Sequence, residues 1–313
     1  MKLHKPKFWN SKYSLIAIFL FPLTLFVLIF IFIKKKLIKK IQFNIPIICV
    51  GNIYIGGTGK TPTSIYIAKE LLKLGKKPAI LRKFYKEHKD EHNLIKDNFK
   101  KLILCKNRVE GILEAERMNH DTIILDDGFQ DHKVKKDLNI LCFNQNQLIG
   151  NGYVLPSGPL REMLSSLKYA EIVLINGRKD IEFEKKILDI NKNLKIFYAY
   201  YKPINIDQFR SKKLLAVAGI GNPTNFFNLL LENGLNIEKK MVFPDHYQFT
   251  NNEIINIIKK AENSNAQVIM TEKDYFKINN FNHNKIKYLK VSLVIDKKEQ
   301  LLKTISKIYD QNN

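Results

Sequence analysis

The sequence predicts an α/β fold in which a parallel sheet is covered by helices on both faces. Short apolar runs alternate with helix-forming segments between residues 45 and 175, a spacing typical of strand–helix–strand units. The runs are almost continuously apolar, as expected for strands that are buried on both faces. The chain has 313 residues, 45% of them hydrophobic, which is enough for two domains of the usual size.

An uncharged apolar segment precedes these units. Residues 14–33, SLIAIFLFPLTLFVLIFIFI, are long enough to cross a hydrocarbon core of about 30 Å as a helix. Lysines follow at 34–36, where a cleavable signal peptide would have a small-residue cleavage site. We therefore expect an N-terminal membrane anchor over residues 1–40. Lysines flank both ends and Pro22 permits a kink or a hairpin, so the pattern allows both a full span and insertion from one side.

The remaining elements follow in a regular order. A helix is expected from Pro62 to Leu74, closed by Gly75, and Asn107 with Glu110 has the spacing of a capping box. After a polar linker at 202–213 the alternation of strands and helices returns, with helices that begin at Asn222 and Thr250 and strands at 214–220 and 268–270. The earlier strands are expected at 45–50, 78–81, 102–105, 122–125, 138–143 and 172–175. This organisation predicts a domain at 41–205 and a smaller α/β domain at 206–313.

A glycine-rich turn connects the first strand to the first helix. Its sequence, GNIYIGGTGKTP at 51–62, would let backbone N–H groups converge on phosphate oxygens at the start of a helix. Lys60 would reach the β and γ phosphates, and Thr61 would be a ligand of Mg²⁺. We expect a P-loop NTPase-like domain that binds ATP and Mg²⁺, with the phosphates held by Gly56, Gly57, Thr58, Gly59, Lys60 and Thr61.

Two aspartates follow a neighbouring apolar strand. The segment TIILDDG at 122–128 places Asp126 and Asp127 at the carboxyl end of that strand, where P-loop proteins carry a Mg²⁺-binding carboxylate. One of them would bind the metal, and the other could orient water or a second ligand. The Asn-Lys-x-Asp signature of guanine-binding proteins is missing, and TEKD at 271–274 does not fit it, so the sequence favours ATP over GTP.

The chain is strongly basic, with 52 Lys and Arg against 30 Asp and Glu and a formal charge of +22. Such a charge attracts nucleic acid, anionic lipid or phosphorylated ligands, although lysine spread among Ile and Asn also fits a compositional bias of the genome. The aromatic residues lie in apolar runs and do not alternate with basic ones, so no nucleic acid partner is expected. Single cysteines in apolar runs, without zinc-site spacing, are expected to be core residues: Cys49, Cys105 and Cys142.

Seven short motifs occur in a fixed order along nearly the whole chain. They are VGNIYIGGTGKTP at 50–62, KDE at 89–91, KNRVEG at 106–111, LDDGFQDH at 125–132, LPSGPLRE at 155–162, FPDHYQF at 243–249 and TEKDYFK at 271–277. Together they resemble the tetraacyldisaccharide 4'-kinases, the lipid A kinases of Gram-negative bacteria. The family loop has the form G-N-x-x-x-G-G-x-G-K-T, so Tyr54 fits it although the strict P-loop pattern has glycine there.

This resemblance implies transfer of the ATP γ-phosphate to the 4'-hydroxyl of an acylated glucosamine disaccharide 1-phosphate, a lipid substrate at the cytoplasmic face of the inner membrane. It also implies a smaller C-terminal domain that closes over the nucleotide. Arg161 would neutralise phosphate charge, and Asp90 with His246 would form the catalytic pair. The residues implied for the metal and phosphate environment are Asp126, Asp127 and Glu162.

One region departs from the family pattern. The family has a Ser-Arg-Gly-Tyr-Gly loop followed by Gly-Asp-Glu-Pro, whereas residues 82–92 here are RKFYKEHKDEH, a shorter segment without glycine. Asp97 is therefore the alternative base if Asp90 is not the matching residue.

Two other functions fit parts of the sequence. A membrane-recruited P-loop ATPase that positions other proteins would share the GGTGKT loop and the anchor but would not need the KDE and FPDHYQF motifs. A basic nucleic-acid-binding protein would use the positive charge. Phosphate transfer to a glycolipid excludes the first alternative, and salt-dependent DNA binding without ATPase activity would support the second.

Overall fold

The computed structural model describes residues 6–11, 13–245, 247–278 and 284–310. Within these ranges the chain forms two compact units, and both are discontinuous in sequence. The larger unit contains residues up to 84, residues 99–200 and the segment from 295 onward, whereas the smaller contains 85–98 and 201–294. This division differs from the continuous domains at 41–205 and 206–313 expected from the sequence, because residues 85–98 join the smaller unit and the C-terminal helix joins the larger one.

An eight-stranded sheet forms the centre of the larger unit, in the order β12-β7-β6-β5-β1-β4-β2-β3. The pairs from β3 to β7 are all parallel, as predicted. Strands β7 and β12 continue across the boundary between the units. The strands are β1 (Ile47–Gly51), β2 (Pro78–Lys83), β3 (Leu102–Cys105), β4 (Thr122–Asp126), β5 (Leu138–Asn144), β6 (Ile172–Asn176), β7 (Lys195–Pro203) and β12 (Val291–Ile295).

Helices cover this sheet and enclose an apolar core. Every residue of β1, β4 and β6 is buried, which explains why these runs are continuously apolar. The three cysteines are buried and free, as predicted. The helices of this unit, apart from the N-terminal one, are α2 (Lys60–Lys73), α4 (Arg108–Arg117), α5 (Ile181–Ile190) and α9 (Lys298–Asp310).

The smaller unit is built on a parallel sheet of four strands in the order β11-β10-β8-β9. Alternate residues of β8 pack on opposite sides: Leu214 belongs to the apolar cluster of α6, and Leu215 to that of α7. The elements are α3 (Lys89–Asn98), β8 (Lys213–Ala218), α6 (Pro223–Glu232), β9 (Asn236–Val242), α7 (Asn251–Asn263), β10 (Ala266–Thr271), α8 (Glu272–Tyr275) and β11 (Ile286–Leu289).

The apolar N-terminal segment forms one helix, α1 (Leu15–Leu37), with a mean hydropathy of 3.1 over its most apolar window. Ser14 caps it by accepting a hydrogen bond from the Ala17 N–H. The helix continues through Pro22, so the hairpin that this proline would permit is not formed. The side chains that turn toward the larger unit follow helical spacing: Ala17, Leu20, Thr24, Val27, Leu28, Ile31 and Lys35.

Two segments differ from the sequence expectation. Asp90, which the family pattern places directly after a loop, lies in α3 (Lys89–Asn98), and this helix buries Asp90, His92 and Ile95. The expected linker at 202–213 contains a short 3₁₀ helix whose Phe209 is fully buried in the core of the smaller unit. Both segments are mostly polar, and tertiary packing of a few residues decides their structure.

Candidate active site at the phosphate loop

The phosphate loop is held in shape by two asparagine amides. Gly56 and Gly59 have φ of +119° and +90°, which favours glycine at both positions. The Asn52 Nδ2 group donates to Thr58 Oγ1 over 2.9 Å, and Asn176 Nδ2 donates to the Thr58 carbonyl over 2.6 Å. Helix α2 begins at Lys60, immediately after the loop. A glycine-rich loop followed directly by a helix N-terminus is the arrangement typical of a phosphate site.

Asp126, the last residue of β4, is fully buried and its carboxylate is completely engaged. Its Oδ2 accepts a hydrogen bond from Thr61 Oγ1 over 3.0 Å, and its Oδ1 accepts one from Ser64 Oγ over 2.9 Å. The guanidinium of Arg82, which lies beside Asp126 in the strand register, also donates to Oδ2. The carboxylate thus connects the first turn of α2 to the neighbouring strand β2.

Asp127 faces the cations of the loop. Its φ of +56° is uncommon for a residue with a side chain and turns it away from the direction of Asp126. Arg161 Nη1 donates to its Oδ1 over 2.7 Å, and Lys60 Nζ lies 3.8 Å from the same oxygen. Burial alone would raise the pKa of Asp127, but the positive charges of Lys60 and Arg161 outweigh it and hold the pKa at about 2. Asp127 is therefore ionised at neutral pH.

Arg108, from the KNRVEG motif, supports this unusual turn. Its Nη2 donates to the Asp127 carbonyl over 2.7 Å, and its Nη1 lies 3.2 Å from Asp131 Oδ2. Burial would raise the pKa of Asp131, but the charge and hydrogen bond of Arg108 lower it. Arg108 consequently fixes both ends of the DDGFQD segment.

Glu162 directly follows Arg161 but has other partners. Its carboxylate, only 3% exposed, pairs with Lys35 in the last turn of α1, and His132 Nε2 lies 3.5 Å from its Oε1. Burial, together with the positive charges of Lys35 and Lys136, lowers the pKa of His132 to about 4, so its imidazole is neutral at pH 7. The N-terminal helix is therefore tied to the residue next to Arg161.

Asp90 belongs to the smaller unit. It lies in the first turn of α3, and its side chain is fully buried beside Lys273 and Lys277. Asp97 lies on the same helix and is exposed. His246 lies outside the described residues, so its pairing with Asp90 stays a prediction.

Comparison with known proteins decides the family. The sequence profile of LpxK, described as tetraacyldisaccharide-1-P 4'-kinase, matches residues 16–310. The chain belongs to this family. The tetraacyldisaccharide 4'-kinase of Pelagibacter ubique (strain HTCC1062) is 40% identical over 318 residues, covering 100% of both chains. The tetraacyldisaccharide 4'-kinase of Rickettsia canadensis (strain McKiel) is 34% identical and covers 98% of each chain.

A solved structure of the same family has the same fold. It is described as the "apo" form of LpxK from Aquifex aeolicus in complex with ATP at 2.2 Å resolution. It superposes with a TM-score of 0.73 at 25% identity and covers 94% of this chain and 99% of its own. The predicted family and the predicted α/β fold class are therefore confirmed.

Within this 4'-kinase fold, the larger unit brings together most of the residues singled out by the sequence. They form a network of two groups that adjoin along the chain, Thr61 with Asp126, and Lys60 and Arg161 with Asp127. Glu162 contacts Lys35 and His132, so its assignment to the metal environment stays a prediction.

Sequence reasoning missed several members of this network. Arg82 lies beside Asp126 on the neighbouring strand β2, Ser64 lies one helical turn after Thr61, and Asn52 and Asn176 hold the loop. The arginine of the family's Ser-Arg-Gly pattern and the i, i+3 spacing of Thr61 and Ser64 are the signals that could have found the first two.

The donor atoms fit Mg²⁺. Among the described residues no three His, Cys, Asp or Glu side chains converge as a self-contained metal site. Thr61 Oγ1 and Asp126 Oδ2, however, are hard oxygen donors 3.0 Å apart beside the phosphate loop. Magnesium in kinases takes few protein ligands and completes its coordination with phosphates and water, so these two oxygens suit it.

Proposed function

We propose that this protein, as a member of the 4'-kinase family, transfers the γ-phosphate of ATP to the 4'-hydroxyl of an acylated glucosamine disaccharide 1-phosphate in lipid A biosynthesis. The observation that carries the proposal is the ionised Asp127 held between Lys60 and Arg161 at the phosphate loop. Two cations beside the N–H groups of a phosphate loop can stabilise the negative charge of a transferred phosphoryl group.

The same contacts support a specific role for the two cations. At 3.8 Å from Asp127 Oδ1, the Lys60 ammonium is outside hydrogen-bond distance, so little is lost when it turns toward a phosphate. Arg161 Nη1 is shared between Asp127 Oδ1 and Asn52 Oδ1, which lies 3.0 Å away. Asp127 thus keeps both cations near the loop, where bound ATP would receive them.

Thr61 and Asp126 are proposed to hold Mg²⁺, which would neutralise charge on the phosphates. Ser64 and Arg82 keep the Asp126 carboxylate in place. Since Arg82 donates to the same oxygen as Thr61, it also limits how much negative charge the carboxylate presents.

Asp90 is proposed to accept the proton of the acceptor hydroxyl, with His246 as its partner. A sugar hydroxyl is a poor nucleophile at neutral pH, so a buried carboxylate in hydrogen-bond reach would assist it. Replacing Asp90 by Ala should lower kcat by about 10²–10⁴-fold while nucleotide affinity changes little. Adding His246→Ala should cost little more, because residues that act as a unit are not additive; losses that multiply would contradict the pair and point to Asp97.

We also propose that α1 lies in the plane of the inner membrane, on its cytoplasmic face, and does not cross it. Thr24, at the middle of the helix, is 1% exposed and lies 2.8 Å from Ser157 Oγ and 3.2 Å from the Val154 carbonyl. The buried face extends from Ala17 to Lys35, about 27 Å of helix. A spanning helix would carry this part of the larger unit, with its polar loop, into the hydrocarbon, where irregular backbone is excluded. The opposite face, with Phe19, Phe26 and Phe30, is exposed and available to acyl chains.

Cysteine labelling tests this topology. The native Cys49, Cys105 and Cys142 are buried, and burial raises the pKa of each thiol to about 11 or 12, so their background is low. In spheroplasts, a membrane-impermeant maleimide should label Ser11→Cys only after permeabilisation, like the control Lys179→Cys. Labelling of Ser11→Cys in intact spheroplasts would show a spanning helix.

Phosphate transfer is tested with the full-length protein in detergent. Incubation with ATP labelled in the γ-phosphate and with acylated disaccharide 1-phosphate should move the label to the lipid. ATP hydrolysis without lipid labelling would instead support the membrane-recruited ATPase.

A further inference from the structure

A buried group of charges surrounds Asp90 in the smaller unit. Lys273 Nζ lies 3.6 Å from Asp90 Oδ2, 3.2 Å from Glu91 Oε1 and 3.2 Å from Asp245 Oδ1. Lys277 Nζ lies 3.9 Å from the same oxygen of Asp90. Two ammonium groups therefore approach one carboxylate oxygen from the TEKDYFK segment.

The local structure fixes both lysines in place. Thr271 caps the short helix α8, and the buried Asp274 accepts hydrogen bonds from the Gly219 N–H over 2.8 Å and from Thr271 Oγ1 over 2.7 Å. Lys277, whose side chain is 1% exposed, donates to Asp274 Oδ1 over 2.6 Å and to the Gly219 carbonyl over 2.8 Å. Lys273 lies four residues earlier, so both side chains can reach the same side of the segment.

Carboxylates surround the two lysines. Those of Asp90, Glu91, Asp245 and Asp274 each lie within 4 Å of one or both ammonium groups. Burial would lower the pKa of Lys273, but the carboxylates of Glu91, Asp245 and Asp90 outweigh it and raise that pKa above its usual range. Lys273 is therefore charged at neutral pH. The other titratable groups of α3, α8 and the turn before α3 are Lys86, His88, Lys89, His92, Lys96, Asp97, Glu272 and Tyr275.

We propose that Lys273 and Lys277 are positioning residues for the phosphoryl acceptor step, holding the Asp90 carboxylate ionised and in a fixed orientation. The proposal rests on the proposed role of Asp90 as the base. Positive charges within 4 Å favour the anionic form of a carboxylate, whereas burial and the neighbouring Glu91 and Asp245 favour the protonated form. A base that is already ionised in the free protein needs no proton loss before the acceptor binds. The capping and ion-pair contacts of the TEKDYFK segment then position the base as well as stabilise the turn.

The pH profile of kcat distinguishes this role from a structural one. Removing a positive neighbour should move the acid limb to higher pH. For Lys273→Met at saturating ATP and lipid acceptor, we expect the acid limb to move to higher pH by about one pH unit or more. At pH values below the limb this gives a loss of kcat of about tenfold, with recovery above the limb. Lys273→Arg should keep most of the rate. Lys285→Met, which removes an exposed lysine paired with Glu262 in the same unit, is the matched control and should resemble the unmodified protein.

A second variant, which is expected to move the acid limb in the opposite direction, gives an independent test. Adding Glu91→Gln to Lys273→Met removes a negative neighbour, so the acid limb should move back toward lower pH. If Lys273→Met folds poorly, as judged by thermal unfolding, Lys273→Gln and Glu91→Gln alone give the same pair of opposite shifts. An equal loss of kcat at every pH, or unshifted acid limbs in all these variants, would overturn the proposal.

The controls separate this proposal from those on which it rests. If the unmodified protein transfers no phosphate to lipid, the proposed function fails. A normal kcat in Asp90→Asn would show that Asp90 is not the base, and this proposal would fail together with that assignment. Shifts of the acid limb in opposite directions, with unchanged affinity for ATP, would support the positioning role of the two lysines.

Discussion

Asp126 and Asp127 are adjacent in the sequence, but their carboxylates have different partners. Asp126 continues the strand geometry and points to α2 and β2, where Thr61, Ser64 and Arg82 bind it. Asp127 has a left-handed backbone and points to Lys60 and Arg161. The left-handed backbone of Asp127 therefore separates two roles. The Asp126 carboxylate is placed for the proposed metal, and the Asp127 carboxylate holds Lys60 and Arg161.

Lys60 is expected to contribute mainly to the transition state. Replacing it by Ala should lower lipid phosphorylation by about 10³-fold or more, because the ammonium neutralises charge that develops during transfer. Thermal unfolding without nucleotide should change little, since the pair with Asp127 is loose. Lys69→Ala, an exposed position on the same helix, is the control. A near-normal rate in Lys60→Ala would contradict the phosphate-loop assignment.

The contact between Asp131 and Arg108 predicts a pH-dependent contribution to stability. The pKa of Asp131 is lowered in the folded protein, so its contribution is complete above the unfolded value of about 3.9 and is lost as the pH falls through the folded value. Asp131→Asn should lower the free energy of unfolding at pH 7 by about 1–2 kcal/mol. Denaturation with urea at pH 7 and pH 3 checks this; a difference between the proteins that is as large at pH 3 would contradict it.

At the scale of elements, helix α1 packs on the larger unit through one face and exposes apolar side chains on the other. Its last turn carries three consecutive lysines, of which Lys35 turns toward the larger unit and pairs with Glu162, while Lys34 and Lys36 are exposed. The helix is therefore part of the larger unit, and its exposed apolar face is the proposed membrane contact.

Replacing Lys35 should separate these two roles. Lys35→Met leaves the buried Glu162 without its cation, so we expect a loss of about 1–3 kcal/mol in stability and a lower rate with lipid acceptor. Lys36→Met removes the same charge from the exposed side and is the matched control. Sedimentation with anionic vesicles should be equal for both variants. Equal stability and rate in the two variants would show that the contact with Glu162 is unimportant.

The strands of the larger sheet could be predicted because each is a continuous apolar run with both faces buried. Helix α3 could not, because only two of its ten residues, Leu94 and Ile95, are apolar and its buried Asp90 has lysine partners far along the chain. The phosphate loop was visible as a local motif. The pair Lys273 and Lys277 was not, because its contacts with Asp90 exist only after helices from distant segments are assembled.

At the scale of the whole molecule, the C-terminal helix belongs to the larger unit, although the chain passes through the smaller unit at residues 201–294 before it reaches this helix. Helix α9 buries Leu301, Ile305 and Ile308 there, and Tyr309 Oη lies 2.8 Å from Thr122 Oγ1. The larger unit is therefore complete only when the chain end has returned to it.

Removing α9 is expected to damage the larger unit although the phosphate loop is far away in sequence. Deletion of residues 298–313 exposes its apolar contacts and removes the 2.7 Å pair between Lys298 and Glu70, so the melting temperature and ATP binding should both fall. Deletion of residues 311–313 is the control. Unchanged ATP binding after the longer deletion would show that α9 is dispensable.

The guanidinium of Arg82 on Asp126 has a consequence for the protein between turnovers. A buried carboxylate without a counterion is costly, and many metal-binding sites are unstable when emptied. Here an internal cation already compensates Asp126. Chelating agents should therefore stop phosphate transfer while changing the unfolding temperature of the nucleotide-free protein little.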